Sequence, residues 1–326
     1  PSFAALPVTL LRDDAVEMLE GVLKILEEQG SPADVACYAG LMSSQLRRRN
    51  HAGVAAAASG LPDSKFTPKM RGMLATSAAH RGRLDEALGH LRQVPALAAE
   101  DRRCALSPGL AAQILGLAAR DQRVAVATQE LQRLNAKLES RHLDDLVAAE
   151  ARRRGLAGCQ EILDAGLALK VQKGPGAYQV LAGALAQSLD KAGFGGLLED
   201  LEAEAKRGPA GVAVGEPLAV ALLDTCRVFR NGDDVLRVAA LHRAACAGAP
   251  GGKVLLAICA ALLACEQAEA ACDLYEQELA PKSIWPDAAL TDALLKAATA
   301  AGRAALAQRL QEHAASARCA APAAGS

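Results

Sequence analysis

Prolines punctuate this chain at a nearly fixed interval. Pro32, Pro68, Pro108, Pro175, Pro217, Pro250, Pro286 and Pro322 each lie in a short polar or Gly-containing stretch. The gaps are 36, 40, 67, 42, 33, 36 and 36 residues, and the long gap holds two units whose missing mark falls near Ser140, Arg141 and His142. Proline has no N–H and a fixed φ, so it is tolerated at helix starts and disrupts helix interiors. A proline at this period therefore marks a recurring helix start, and eight units averaging near 36 residues fit between Pro32 and Pro322.

A second mark falls inside each unit: Arg49-Asn50, Gly82-Arg83, Asp121-Gln122, Gly155, Gly193, Asn231-Gly232, Glu266-Gln267 and Gly302-Arg303. Gly and Asn accept the left-handed conformation that ends a helix. Each unit thus reads as a helix, a tight turn, a second helix and a looser link. The helices carry one small apolar stripe each: Leu84, Ala87, Leu88, Leu91 and Val94 in one, Ala271, Leu274, Tyr275 and Leu279 in another. One such pair cannot bury both its faces, whereas stacked pairs share a continuous core. The predicted fold is all-α, an α-solenoid of about eight stacked helix-turn-helix repeats around one concave groove. Residues 1–12 read as a lead-in, 13–315 as a single array and 316–326 as a flexible tail.

Composition agrees. Hydrophobic residues make up 51% of the chain but aromatics only 2%, with Ala and Leu dominant; these favour helix, while strands want the β-branched and aromatic residues that are scarce here. The net charge of −1 gives no global field to attract nucleic acid or anionic lipid, so any such binding needs a local patch. The 25 Arg outnumber the 11 Lys, which suits phosphate and carboxylate recognition and is equally the mark of GC-rich coding. The nine cysteines are odd in number, form no C-x-x-C pair and sit mostly in apolar runs, so they read as buried free thiols. The longest apolar run, 254–265, has twelve residues, against the roughly 20 that a membrane span needs.

The 35-residue stretch "KVLLAICAALLACEQAEAACDLYEQELAPKSIWPD" (253–287) resembles a pentatricopeptide repeat. "SAAHRGRLDEALGHLRQVP" (77–95) is similar to the middle of that motif, "GSPAD" (30–34) and "KFTPK" (65–69) to its closing link, and "LTDALLKAATAAGRAALAQRL" (290–310) to a further copy. The resemblance spans roughly 14–315, with degenerate copies between 106 and 250. It implies a right-handed superhelix, single-stranded RNA as partner and residence in a chloroplast or mitochondrion. It also implies a non-catalytic role in transcript stabilisation, processing or translation, with no cofactor. The family selects each base through the fifth residue of the first helix and the last residue of the motif, while the second residue packs against the base. Carried across, these are Ala257, Asp287 and Val254 in one copy, Asp292 as the next fifth residue, and Ala39 and Lys69 in the copy at 35–69. An Ala cannot hydrogen-bond a base edge, so the base code is not legible.

The family's basic residue near the end of the first helix is better represented. Arg47, Arg48, Arg49, Arg81, Arg120, Arg152, Arg153, Arg154, Lys191 and Arg230 all fall before or at the mid-unit mark, with His80 beside Arg81. Stacked repeats would align them into a stripe able to bind a phosphate backbone. Helix C-termini also favour cations through the helix dipole, at about 0.3–1 kcal/mol each. The competing reading is a scaffold whose groove takes a helix or an extended peptide, which the apolar fifth positions favour. The six histidines have no metal spacing, and no acid–base pair or nucleophile with a partner is visible, so no catalytic or metal site is expected. "GFGG" (193–196) and "GAPGG" (248–252) read as turns, and Trp285 as a residue packing under the next repeat.

Overall fold

Thr67 and Ser107 stand one residue ahead of Pro68 and Pro108. Each turns its hydroxyl to accept the N–H three residues on, from Met70 at 3.3 Å and Leu110 at 3.2 Å. That satisfies one of the free donors every helix start exposes, and the proline that follows has no N–H to satisfy. Pro175 opens a helix at its first position and Pro217 at its second. Asp287 caps the last repeat, its carboxylate accepting from Leu290 N–H at 2.8 Å. The unit without a proline starts at Ser140, as the spacing predicts.

The structure is a computed structural model that describes residues 15–28, 35–95, 106–208, 211–246 and 250–320. Pro32, Pro322, the segment 30–34 and the expected lead-in 1–12 lie outside the described residues. Among the described residues the helices are α1 (Ala15–Glu28), α2 (Val35–Arg47), α3 (His51–Ser59), α4 (Pro68–His80), α5 (Leu84–Arg92), α6 (Pro108–Arg120), α7 (Val124–Arg133), α8 (Ser140–Ala168), α9 (Pro175–Ser188), α10 (Lys191–Lys206), α11 (Glu216–Phe229), α12 (Gly232–Ala245), α13 (Gly252–Ala264), α14 (Ala268–Leu274), α15 (Ala288–Ala300) and α16 (Ala304–Ala320). A π-helical turn, Tyr275–Leu279, extends α14, and α8 is broken at Gly155. After α1 these form eight helical pairs, α8 supplying both members of one, and no strand occurs among the described residues. The fold is an all-α array of helix-turn-helix repeats.

Every pair turns on one left-handed residue. Arg49, Gly82, Gln122, Gly155, Leu189, Arg230, Glu266 and Gly302 have φ between 49° and 74°. At seven of these turns the N–H of the next residue reaches back to the carbonyl five before it. Asn50 bonds Gln45 at 2.9 Å, Arg123 bonds Ala118 at 2.7 Å and Arg303 bonds Ala298 at 2.9 Å. This is the Schellman arrangement, which caps the first helix and aims the second back along it. The expected marks fall within a residue of these turns except at Gly193. There Leu189 takes the left-handed position, and Gly193 lies in the first turn of α10, where its N–H is capped by Asp190 at 2.8 Å. "GFGG" is therefore helix, not turn.

The array expected as one run divides into two compact units: residues 1–150 with 158–172, and 151–157 with 173–326. In unit 1 the first helices α2, α4 and α6 pack in succession, and the second helices α5 and α7 pack on each other. In unit 2 α9, α11, α13 and α15 form the first-helix layer, while α10 and α12 pack in the other. The apolar stripes fill the space between layers. Leu88, Leu91, Ile114, Leu115 and Leu131 are fully buried in unit 1, as are Tyr178, Phe194, Leu222 and Tyr275 in unit 2; each such side chain contributes about 1.5–3 kcal/mol. Seven cysteines are free, and of these Cys37, Cys159, Cys226, Cys259 and Cys272 are buried. Of the C-terminal tail expected from 316, residues to Ala320 continue α16, and 321–326 lie outside the described residues.

Ion pairs stitch successive second helices. Arg92 Nε meets Glu130 at 3.1 Å and Arg123 meets Asp85 at 2.6 Å in unit 1. In unit 2 Arg237 meets Glu202 and Arg243 meets Glu278, both at 2.7 Å. Burial alone would raise the Glu130 carboxyl, but hydrogen bonds from Arg133 and Arg92 outweigh it and hold the group below its ordinary value of 4.5. A carboxylate depressed in this way adds stability above its unfolded pKa, and that stability is lost as pH falls through its folded pKa. Glu130→Gln should cost roughly 1 kcal/mol at neutral pH, and urea unfolding should show the gap to the unaltered protein closing below about pH 4. A left-handed Leu costs about 1–2 kcal/mol that Gly does not incur. Leu189 is 72% exposed and buries little. Leu189→Gly should therefore stabilise the protein by about 1 kcal/mol in the same measurement.

Candidate nucleic-acid interface

The turn between α2 and α3 places three arginines together because a helix end and a left-handed cap follow each other there. Arg47 closes α2, Arg48 follows and Arg49 takes the positive φ. All three are exposed, and no carboxylate pairs with any of them among the described residues. Side-chain amides brace the turn instead. Asn50 Oδ1 accepts from Gly53 N–H at 3.0 Å, Asn50 Nδ2 donates to Gln45 Oε1 at 2.9 Å, and Gln45 Nε2 donates to Glu20 at 3.1 Å.

The next turn brings His80 and Arg81 to the end of α4. Arg81 and Arg83 share Glu86; burial pushes that carboxyl up, but hydrogen bonds from both arginines hold it below its ordinary value. His80 stacks on His51, which opens α3, with ring centroids 4.6 Å apart and planes inclined by 17°. Burial, then the neighbouring His80, Arg81 and Arg49, lower the His51 pKa below 6.5. At the third turn Arg120 closes α6, exposed and without a carboxylate partner among the described residues, whereas Arg123 is engaged by Asp85. Between the end of α4, the face of α6 and the start of α8 lies an open cavity of about 390 Å³, lined by His80, Gln113, Arg120, His142 and Asp145 around Ala112 and Gly116.

The remaining basic candidates belong to the residues grouped with unit 2. Arg152, Arg153 and Arg154 are exposed in the last turn before Gly155, within the segment grouped with unit 2. Lys191 was expected at a first-helix end, but it is the first residue of α10, directly after the capping Asp190. Arg230 is exposed and left-handed, followed by Asp233 and Asp234 in the first turn of α12. The last two turns carry Glu266, and Arg303 paired with Asp273 at 2.7 Å and Glu276 at 3.1 Å. Among the described residues the turns of unit 1 hold Arg47, Arg48, Arg49 and Arg120 without a carboxylate partner, while those of unit 2 carry both cations, Arg152 to Arg154 and Arg230, and an acid, Glu266.

The candidate base-facing residues scatter in role. Val254 is fully buried, so it fills the core and meets no groove. Ala257 is half-buried, and Asp292 and Lys69 are exposed on the first turns of α15 and α4. Asp287 is the helix cap already described. Trp285 is 46% exposed rather than covered; it stacks face to face on His313 of α16, with centroids 3.8 Å apart and planes within 2°. The cavity of His80, His142 and Asp145 is not apparent in the sequence, because those residues are two repeats apart and only the fold juxtaposes them. Among the described residues no helix is long and apolar enough to cross a membrane.

The fold is that of a helical-repeat protein, with exposed arginines at the turns of its first unit. No protein-family model matches the chain, and no curated protein matches it by sequence. Among solved structures it is similar to the pentatricopeptide repeat protein PPR10 from maize, at 14% identity and a TM-score of 0.45, over 93% of this chain and 42% of that one. PPR10 in complex with an 18-nucleotide psaJ RNA element aligns at 12% identity and a TM-score of 0.38, over 92% and 44% of the two chains. Yeast Rmd9p in complex with its 16-nucleotide target RNA aligns at 10% identity and a TM-score of 0.32, over 91% and 69%. The chain therefore spans less than half of PPR10.

Asp287→Ala separates capping from base selection. Loss of a cap should destabilise the protein by about 0.5–2 kcal/mol without RNA present. Thermal unfolding of the free protein measures this; a residue that only selects a base would leave the midpoint unchanged.

Proposed function

We propose that this protein is a pentatricopeptide-type binder of single-stranded RNA that holds the phosphate backbone along the repeat turns of unit 1. The observation that carries this reading is the set of exposed, unpaired guanidiniums at Arg47, Arg48, Arg49 and Arg120. The helix dipole favours a cation at each helix end, but it falls off within a turn and does not call for three adjacent arginines. Arginine suits phosphate, and a charged edge can bind a polyanion although the whole chain carries a charge of −1. The sequence resemblance of 253–287 and 77–95 adds the ligand class. Transcript stabilisation, processing or translation in a chloroplast or mitochondrion follows from the same resemblance, and fractionation of the native source tests the compartment.

A peptide-binding scaffold is the second reading. It rests on unit 2, where Val228 and Leu236 are half exposed and the turns carry acids.

Titration with an oligo(U) RNA across salt concentrations tests the proposal. Affinity should fall steeply with salt, with a slope near −0.7 per phosphate contact. The triple variant R47A/R48A/R49A should bind at least about tenfold more weakly at low salt and flatten the slope by roughly 2. The double variant K191A/R230A should bind as the unaltered protein does. Absence of binding at low salt would exclude RNA and favour the scaffold.

A further inference from the structure

His51 and His80 come from different helices of unit 1 and lie nearly parallel, with ring centroids 4.6 Å apart. The backbone fixes this contact. His51 opens α3, and its carbonyl accepts from the hydroxyl of Ser77 at 2.9 Å, three residues before His80 on α4. The two rings differ in access. Nδ1 of His51 is sealed from solvent and has no hydrogen-bond partner among the described residues. His80 is exposed and lines the open cavity beside Arg120 and His142. A ligand can therefore reach the stack through His80.

The charges around the stack are unbalanced. At this end of the repeats α2 leads into Arg47, Arg48 and Arg49, α4 into Arg81, and α6 into Arg120, Asp121 and Arg123; α5 brings Arg83, Asp85 and Glu86. His142 and Asp145 of α8 line the cavity that His80 borders. Seven guanidiniums stand against four carboxylates. Two of those carboxylates are already engaged, Glu86 by Arg81 and Arg83, and Asp85 by Arg123. Burial first, then His80, Arg81 and Arg49, hold the His51 ring below the ordinary imidazole value. A proton on His51 would also place an N–H at the sealed Nδ1, where nothing accepts it. Two stacked imidazolium rings would repel each other as well. The pair titrates as a unit, and in the free protein it resists a full load of protons. An anion beside it reverses this preference, because an opposite charge favours the charged form of an imidazole.

We propose that His80, stacked on His51, is a phosphate-binding residue of the RNA interface, and that a phosphate held there with Arg49 and Arg81 brings a proton from solvent onto the stack. The inference rests on the RNA reading for the identity of the strand, and adds to it a residue and a dependence on pH. Linkage is reciprocal: if bound phosphate raises the proton affinity of the stack, falling pH must strengthen phosphate binding. The arginines supply affinity at every pH, and the histidine pair supplies the part that varies.

Calorimetric titration of the full chain with 5′-hydroxyl oligo(U), whose phosphodiesters do not titrate near neutral pH, supplies the test. Runs at fixed ionic strength in two buffers of different ionisation enthalpy count the protons. About half a proton or more should be taken up near pH 6.5, and affinity should rise about tenfold from pH 8 to pH 6. His80→Gln should remove most of that rise and leave affinity at pH 8 within about twofold, since an imidazole carries little charge there. His313→Gln, which alters the ring stacked on Trp285 in unit 2, should keep the full pH dependence. RNA binding by the unaltered protein without proton uptake overturns the inference and leaves the RNA reading standing, whether or not the variant folds. An unchanged pH dependence in H80Q does the same. Long-chain inorganic polyphosphate separates the two readings in the other direction, because it carries backbone charge and no bases. Proton-linked binding of polyphosphate without binding of RNA upholds the phosphate site and excludes RNA as its ligand. If neither binds at low salt, both readings fall.

Discussion

A single left-handed residue at the middle of each repeat sets the geometry of everything around it. At seven of the eight turns its neighbour's N–H closes back on a carbonyl of the first helix, and the second helix leaves in a fixed direction. Because the same closure recurs, each pair presents its apolar stripes to the next in equivalent ways. Continuous layers follow within each unit, and the core needs only Ala, Leu and a few larger side chains to fill it. The turn also decides where charge appears. The last turn of a first helix is exposed and negatively polarised, so arginine collects there at little cost.

The chain uses two populations of arginine. In the second-helix layer, Arg92, Arg123, Arg237 and Arg243 bridge to carboxylates about one repeat away, and their charge is consumed in joining neighbours. At the turns of unit 1, Arg47, Arg48, Arg49 and Arg120 have no such acids. The near-zero net charge hides this division. What matters for a polyanion is not how many cations a solenoid has but which of them its own packing has left over.

Much of the fold is legible in the sequence because its signals are local. The recurring prolines from Pro68 to Pro286 lie within two residues of helix starts, and all but one of the mid-unit turns fall within a residue of their marks. The miss at Gly193 has a physical cause. Glycine signals a left-handed turn only when the turn uses it, and here Leu189 takes the strained position while Gly193 lets Asp190 cap α10. Sequence spacing placed Lys191 wrongly for the same reason. The candidate interface is less legible, because pairing is non-local. Nothing in the string says that Glu86 takes up Arg81 while Arg120 stays open, or that His80 and His142 share a cavity. Asp287 shows the opposite hazard: a residue that fits a recognition pattern also fits a capping rule, and the structure shows the cap in use.

The stack of Trp285 on His313 gives the final repeat an optical signature of its own. Trp285 is the only tryptophan in the chain, and its indole lies flat against an imidazole from the next repeat's second helix. An imidazole stacked at that distance perturbs indole emission, so intrinsic fluorescence reports one seam rather than the average of eight. Fraying of α16 from the link before it would appear as a change in emission, while circular dichroism followed the array as a whole. The molecule thus carries a natural gauge of whether a repeat array melts from its end or all at once.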